Sequence, residues 1–152
     1  MKLLHVLLVA LGLTWAVAAH ATKDDLRSIS GMRQYYRVLI VFTPSLADAR
    51  LAAQRAIMAQ IAVEAAKRDV IFVQVDPMTV IGAHDNGRRL RRRFHVPVLD
   101  YHAILIDKDG RVLREAAGPM GGASILHAID ATSPHQIELQ RTRAGKRVVD
   151  KS

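Results

Sequence analysis

The chain of 152 residues contains no cysteine. It can therefore form no disulfide, present no thiolate nucleophile and offer no thiolate to a metal. No Gly-x-Ser-x-Gly elbow occurs, and no pair of carboxylates stands at a recognisable catalytic spacing. Gly118-Pro119-Met120-Gly121-Gly122 lacks the strand-loop-helix spacing and the lysine of a phosphate-cradling loop. There is no interleaving of aromatic and basic residues of the kind that stacks nucleic-acid bases. Beyond the first 21 residues no apolar run is long enough to span a bilayer. These absences remove most of the chemistry a small domain can carry and leave binding as the default expectation.

The amino terminus is more positive evidence. Lys2 supplies a charge, and Leu3 to Ala19 is apolar except for His5 and Thr14. Ala19-His20-Ala21 places small residues at the −3 and −1 positions, and Thr22-Lys23-Asp24-Asp25 opens a polar stretch. This is the pattern of a cleaved signal peptide over residues 1–21. Cleavage after Ala21 leaves enough chain for one domain and not two. The expected location is periplasmic or secreted. A cysteine-free domain of this size fits the Gram-negative periplasm better than a small eukaryotic secreted domain, which more often carries disulfides.

Lysine and arginine number 22 against 14 acidic residues, a formal net charge of +8. Removing residues 1–21 removes only Lys2 from that balance. The expected partners are an envelope protein or an anionic surface or polyanion, and export makes nucleic acid the least expected of them. The plainer alternative is that the charge only keeps the protein soluble.

Residues 22–36 read as a short helical or irregular lead-in. Arg37-Val38-Leu39-Ile40-Val41-Phe42 and Val70-Ile71-Phe72-Val73-Gln74-Val75 are β-branched runs without alternation, as expected of strands covered on both faces. Between them Leu46 to about Arg68 is alanine-rich and free of glycine and proline, predicting one long helix capped by Ser45, with Asp48 in its first turn. Strand, helix and strand make a right-handed βαβ unit with parallel strands. Met78 to Gly87 reads as a loop and Arg88 to Phe94 as a short basic helix. Ala103-Ile104-Leu105-Ile106, the turn Asp107-Lys108-Asp109-Gly110 and Arg111–Glu115 predict an antiparallel hairpin with the last strand at an edge. Ala123 to Ala131 closes the core as a helix. The tail after Pro134 is expected to be partly helical, then frayed, with residues 139–152 a basic extension.

This order predicts an α/β fold of thioredoxin-like type, a central mixed sheet with helices on both faces, over residues 37–138. Phe94-His95-Val96 followed by Ala103 to Val112 resembles the second half of redoxin domains. With Arg37 to Pro44, Arg68-Asp69-Val70 and Ile129-Asp130-Ala131, the chain resembles the DUDES thioredoxin-like family, a domain of unknown function in bacterial exported proteins. That family usually continues with a Met-Pro-Met-Arg-like segment and a Glu. Here Thr132 to Glu138 stands in its place, a departure in which Pro134 and Glu138 match only approximately. The resemblance implies the fold and carries little functional information, because the family has no settled activity.

A redox relative would place a low-pKa cysteine where the first strand meets the long helix. Ser45 and Asp48 stand there instead, and neither can perform thiol chemistry. The position facing that site, a cis-proline in thioredoxins, falls near Tyr101 or His102. The cleft candidates are Ser45, Asp48, Asp100, Tyr101 and His102, with Asp100 and His102 the candidate acid/base groups. The histidines show no metal-ligand spacing, and no cofactor is expected. Arg88, Arg89, Arg91, Arg92 and Arg93 form the sharpest charge cluster, with Leu90 and Phe94 left to face the core. They are the candidate binding residues for an anion, unless nearby acids balance them.

Three functions follow. The first is a non-catalytic binding or scaffold protein of the envelope. The second is an enzyme of non-thiol chemistry reusing the cleft. The third is a structural partner pairing through the edge strand Arg111–Glu115.

Overall fold

The computed structural model describes residues 27–132 and 135–142. The expected signal peptide lies outside the described residues, as do residues 22–26 of the lead-in and the tail beyond residue 142. The elements are β1 (Arg37–Phe42), α1 (Ala49–Gln60), α2 (Ala62–Ala66), β2 (Val70–Val75), β3 (Val80–Ile81), α3 (Gly87–Phe94), β4 (His102–Ile106), β5 (Val112–Ala116) and α4 (Gly122–Asp130). A further helix, α5, covers residues 135–142. No helix among the described residues is long and apolar enough to cross a membrane.

The strands form one mixed sheet in the order β3-β2-β1-β4-β5. β1 runs parallel to β2, with Arg37 opposite Val70 and Phe42 opposite Val75. β4 is antiparallel to β1, and β5 is antiparallel to β4. All six residues of β1 are buried, as its unbroken apolar run demands of a central strand. This is the expected α/β architecture, a five-stranded mixed sheet flanked by helices, compatible with a thioredoxin-like fold. β5 is the expected edge strand.

Each face of the sheet has its own core. Leu39, Val41, Ala103 and Leu105 meet Leu51 and Met58 of α1 and Ile125 and Ile129 of α4. Val38, Ile40, Phe42, Ile104 and Ile106 face α3, which contributes Leu90. Eight residues of α3 cannot cover that face alone. Residues 27–36 cover the rest, with Ile29 and Met32 buried in the same core. The lead-in is therefore packed structure. Asp85 accepts the Ile29 amide at 2.7 Å, and the Gln34 amide donates to the Lys108 carbonyl at 2.6 Å.

The single long helix predicted over 46–68 is two. Ile61, at φ −99° and ψ 13°, leaves helical geometry between α1 and α2. Its side chain packs against Gly122 at the start of α4, where a Cβ would come within 2.6 Å of Ile61 Cγ2. Only glycine allows that approach. The cap is Asp48 rather than Ser45: its side chain accepts the Arg50 amide at 2.8 Å. The Ser45 hydroxyl accepts the Ala47 amide, in the turn that leads in. β3 falls within the stretch expected to be loop, and two residues are too few to give a periodic signal. Gly110, at φ +87°, completes the predicted hairpin turn.

Gln54 of α1 is fully buried and locks the loop before α4. Its amide donates to the Met120 carbonyl at 3.0 Å, and its carbonyl accepts the Met120 amide at 2.7 Å. Gln54→Leu leaves both backbone groups buried and unpaired. It is expected to cost about 2–3 kcal/mol in urea unfolding. A cost under about 0.5 kcal/mol would show that the loop repacks.

Candidate functional site

The candidates at the end of β1 divide: Asp48, Asp100 and Tyr101 lie around Arg50, while His102 faces elsewhere. Asp48 is tied to Arg50 by side-chain bonds of 3.0 and 2.7 Å. That bond, ahead of every other influence, holds the Asp48 carboxyl below its ordinary range. The Arg50 guanidinium lies 5.0 Å over the Tyr101 ring. Tyr101 is buried in the α1/α4 core, and burial pushes its phenol up to about 12. Its hydroxyl has no hydrogen-bond partner among the described residues. His102 pairs across the sheet with Phe42, on the other face. Its Nε2 lies 3.2 Å from Glu115 of β5, so its carboxylate partner is Glu115 and not Asp100. Ser45 and Asp100 are exposed.

The arginine cluster divides differently. Arg91, expected at the surface with the others, is 4% exposed. Its Nη2 donates to the Thr43 carbonyl at 2.7 Å and the Val75 carbonyl at 3.2 Å, and Nη1 donates to the Pro97 carbonyl at 2.7 Å. The guanidinium also packs 5.4 Å from the Phe42 ring centroid. It thus ties α3 to the carboxyl ends of both parallel strands. Burial lowers its pKa, opposed by the more distant carboxylates of Asp76 and Asp100. Helical periodicity explains the correction: Leu90 and Arg91 share the inward side, while Phe94 is half-buried 5.9 Å from Phe42.

Arg88, Arg89, Arg92 and Arg93 are exposed. Among the described residues none of the five forms an ion pair with a carboxylate. Arg93 donates to the Ser30 hydroxyl at 3.2 Å and lies over Phe94. Arg92 and Arg93 sit in the last turn, where the helix dipole favours cations. Arg88 and Arg89 sit in the first turn, which holds no acidic residue and where the dipole opposes them. His95 ends the helix in the left-handed conformation, φ 55°.

Beside α3 a groove of about 850 Å³ opens at the carboxyl ends of β1 and β2. Crevices at the carboxyl ends of parallel strands are where open α/β sheets bind ligands. Pro77, Met78, Val96, Pro97 and Val98 give it apolar walls, and Arg88, Arg92 and His95 give it a basic rim. Arg91 forms part of the lining, its Nε buried without a partner. The arrangement can hold an anionic group against an apolar surface. No set of three metal-ligating side chains lies together among the described residues.

A second charged assembly, not singled out from the sequence, lies at the opposite end of the sheet. Arg37 and Asp107 are fully buried and bonded at 2.9 Å. Arg37 also donates to the Arg68 carbonyl at 2.9 Å and reaches Glu138 at 3.4 Å. Lys108 bridges Asp69 at 2.8 Å and Glu138 at 2.7 Å. Arg68 clasps Asp130 with two bonds, and His135 lies 3.1 Å from Asp130. Hydrogen bonding from Arg68 holds Asp130 low. Burial alone would raise Glu138, but Lys108 and Arg37 outweigh it and hold it low. The sequence signal was only that these residues, Arg37 among them, fall in the segments that carry the resemblance. The partners of Arg37 are 31, 70 and 101 positions away in the chain, so sequence order hid the assembly. Every charge in it has an opposite within the fold, so it reads as a fastening.

No curated protein and no solved structure matches this chain. A family model described as Domain of unknown function (DUF4174) matches residues 28–138, which takes in the buried segment at Ile29, the groove and the ion assembly. The chain belongs to that domain-of-unknown-function family.

Proposed function

We propose that this is an exported, thioredoxin-like binding module of the bacterial cell envelope that works without thiol chemistry and holds an anionic partner in the groove beside α3. One observation carries the reading. Four exposed arginines stand on an eight-residue helix without a carboxylate partner among the described residues, two of them against the helix dipole. Local physics opposes that arrangement, and such conflicts gather at functional sites. The leader pattern over residues 1–21 and the absence of cysteine support the location and the exclusion of thiol chemistry. Acid/base catalysis by Asp100 and His102 has no comparable support, because His102 is engaged by Glu115.

The test is retention on immobilised dextran sulfate during a salt gradient. Arg88→Gln/Arg89→Gln/Arg92→Gln/Arg93→Gln is expected to elute at clearly lower salt than the charge-matched control Arg55→Gln/Lys67→Gln/Arg111→Gln/Arg114→Gln. Co-elution of the two variants would reduce the effect to net charge and defeat the proposal.

A further inference from the structure

We propose that the anion held at this groove is the surface of an anionic lipid bilayer, with Met78 and Leu99 entering the acyl boundary and Arg88 and Arg92 meeting the head groups. This rests on the groove being an anion site. It goes further by naming the partner.

Large apolar side chains scattered singly over a surface are ordinary. Here they gather. The two most exposed among the described residues are Met78, at 90%, and Leu99, at 77%. Met78 stands in the loop after β2 and lines the groove. Leu99 follows Val98, which lines the same groove and is itself 53% exposed. A side chain 90% exposed makes almost no contact with its own protein, so it is placed to enter another phase.

Met78 is also held in place. The Asp76 carboxylate accepts the amides of Met78 at 2.8 Å and Thr79 at 2.5 Å, fixing the loop that carries it. Asp76 is therefore occupied inside its own turn. Asp100, the exposed carboxylate at the end of the second loop, is outnumbered by the arginines of α3. Apolar tips beside unbalanced arginines suit an anionic membrane interface. The tips gain from leaving water and each arginine gains from the surface potential.

The chain has one tryptophan, Trp15. Trp15→Phe/Leu99→Trp therefore reports on the groove rim alone, even if the amino-terminal apolar run also touches lipid. The expected result is a blue-shifted emission, quenched by brominated acyl chains, on phosphatidylglycerol vesicles. Phosphatidylcholine vesicles should give no shift. Adding Arg88→Gln/Arg92→Gln should weaken the response about 10- to 30-fold. Met78→Ser should weaken it further, and high salt should abolish it.

A shift on phosphatidylcholine as well would overturn the proposal. So would arginine-dependent retention on dextran sulfate or polyglutamate without any shift on vesicles. That second outcome would leave the anion site standing with a soluble polyanion or acidic protein as its partner. Loss of both the shift and arginine-specific retention would defeat the anion site itself.

Discussion

Arg37→Met is expected to destabilise the protein by about 3–5 kcal/mol, among the largest effects available to a single substitution in this fold. Arg37 and Asp107 are both fully buried, and the guanidinium is the closest cation to that carboxylate. Removing it leaves Asp107 with the Lys108 amide at 2.9 Å and a distant Arg111 at 4.0 Å. One Asp107 oxygen already lacks a hydrogen bond. The double variant Arg37→Met/Asp107→Leu removes both charges and should recover most of the loss, because a buried pair contributes little over apolar groups of similar volume. Urea unfolding of the three proteins gives the comparison. A double variant as unstable as the sum of its parts would show that Arg37 acts mainly through Arg68 and Glu138. Acid should loosen the same assembly. Asp130 and Glu138 are held below their ordinary values, so their contribution is present above about pH 4–5 and is lost as pH falls through the lowered values.

Arg91→Met should cost about 2–4 kcal/mol. It keeps the apolar stem and deletes the donors that satisfy the carbonyls of Thr43, Val75 and Pro97. Arg91→Lys should not restore stability, since one ammonium cannot reproduce the flat fork that spans β1, β2 and the loop after α3. The neighbours should behave oppositely. Arg88→Gln and Arg92→Gln change exposed groups and should shift stability by less than about 0.5 kcal/mol while lowering binding to anions. Thermal unfolding beside dextran sulfate retention separates the two classes. If Arg91→Met unfolds like the parent, the guanidinium is not a structural tie.

These contrasts show where the sequence was readable. The apolar runs of β1, β2 and β4 revealed themselves because an unbroken β-branched run has few other homes. The Asp107 to Gly110 turn did so because it needs a positive φ at Gly110. The split at Ile61 was hidden, because the residue that meets it, Gly122 of α4, is remote in the chain. Arg91 looked like its four neighbours in sequence. Only the carbonyls waiting at the ends of β1 and β2 distinguish it. The family-like residues, Arg37, Arg68, Asp69, Asp107, Lys108, Asp130 and Glu138, prove to be one ion assembly. It lies at the end of the sheet opposite the groove. Resemblance through these residues therefore indicates how the chain is fastened and says nothing of what it holds. The groove itself was half legible. The arginines of α3 stood out, but Met78 and Val98 gained meaning only when two separate loops brought them to one groove.

The most direct measurement is an amide footprint, by two-dimensional NMR, of the protein titrated with phosphatidylglycerol nanodiscs and with dextran sulfate. The groove beside α3 predicts perturbations concentrated in residues 76–79 and 87–99, with the ion assembly around Arg37 and Asp107 unmoved. Perturbations centred on Asp48, Arg50 and Tyr101, or along β5, would contradict it and place the binding surface elsewhere.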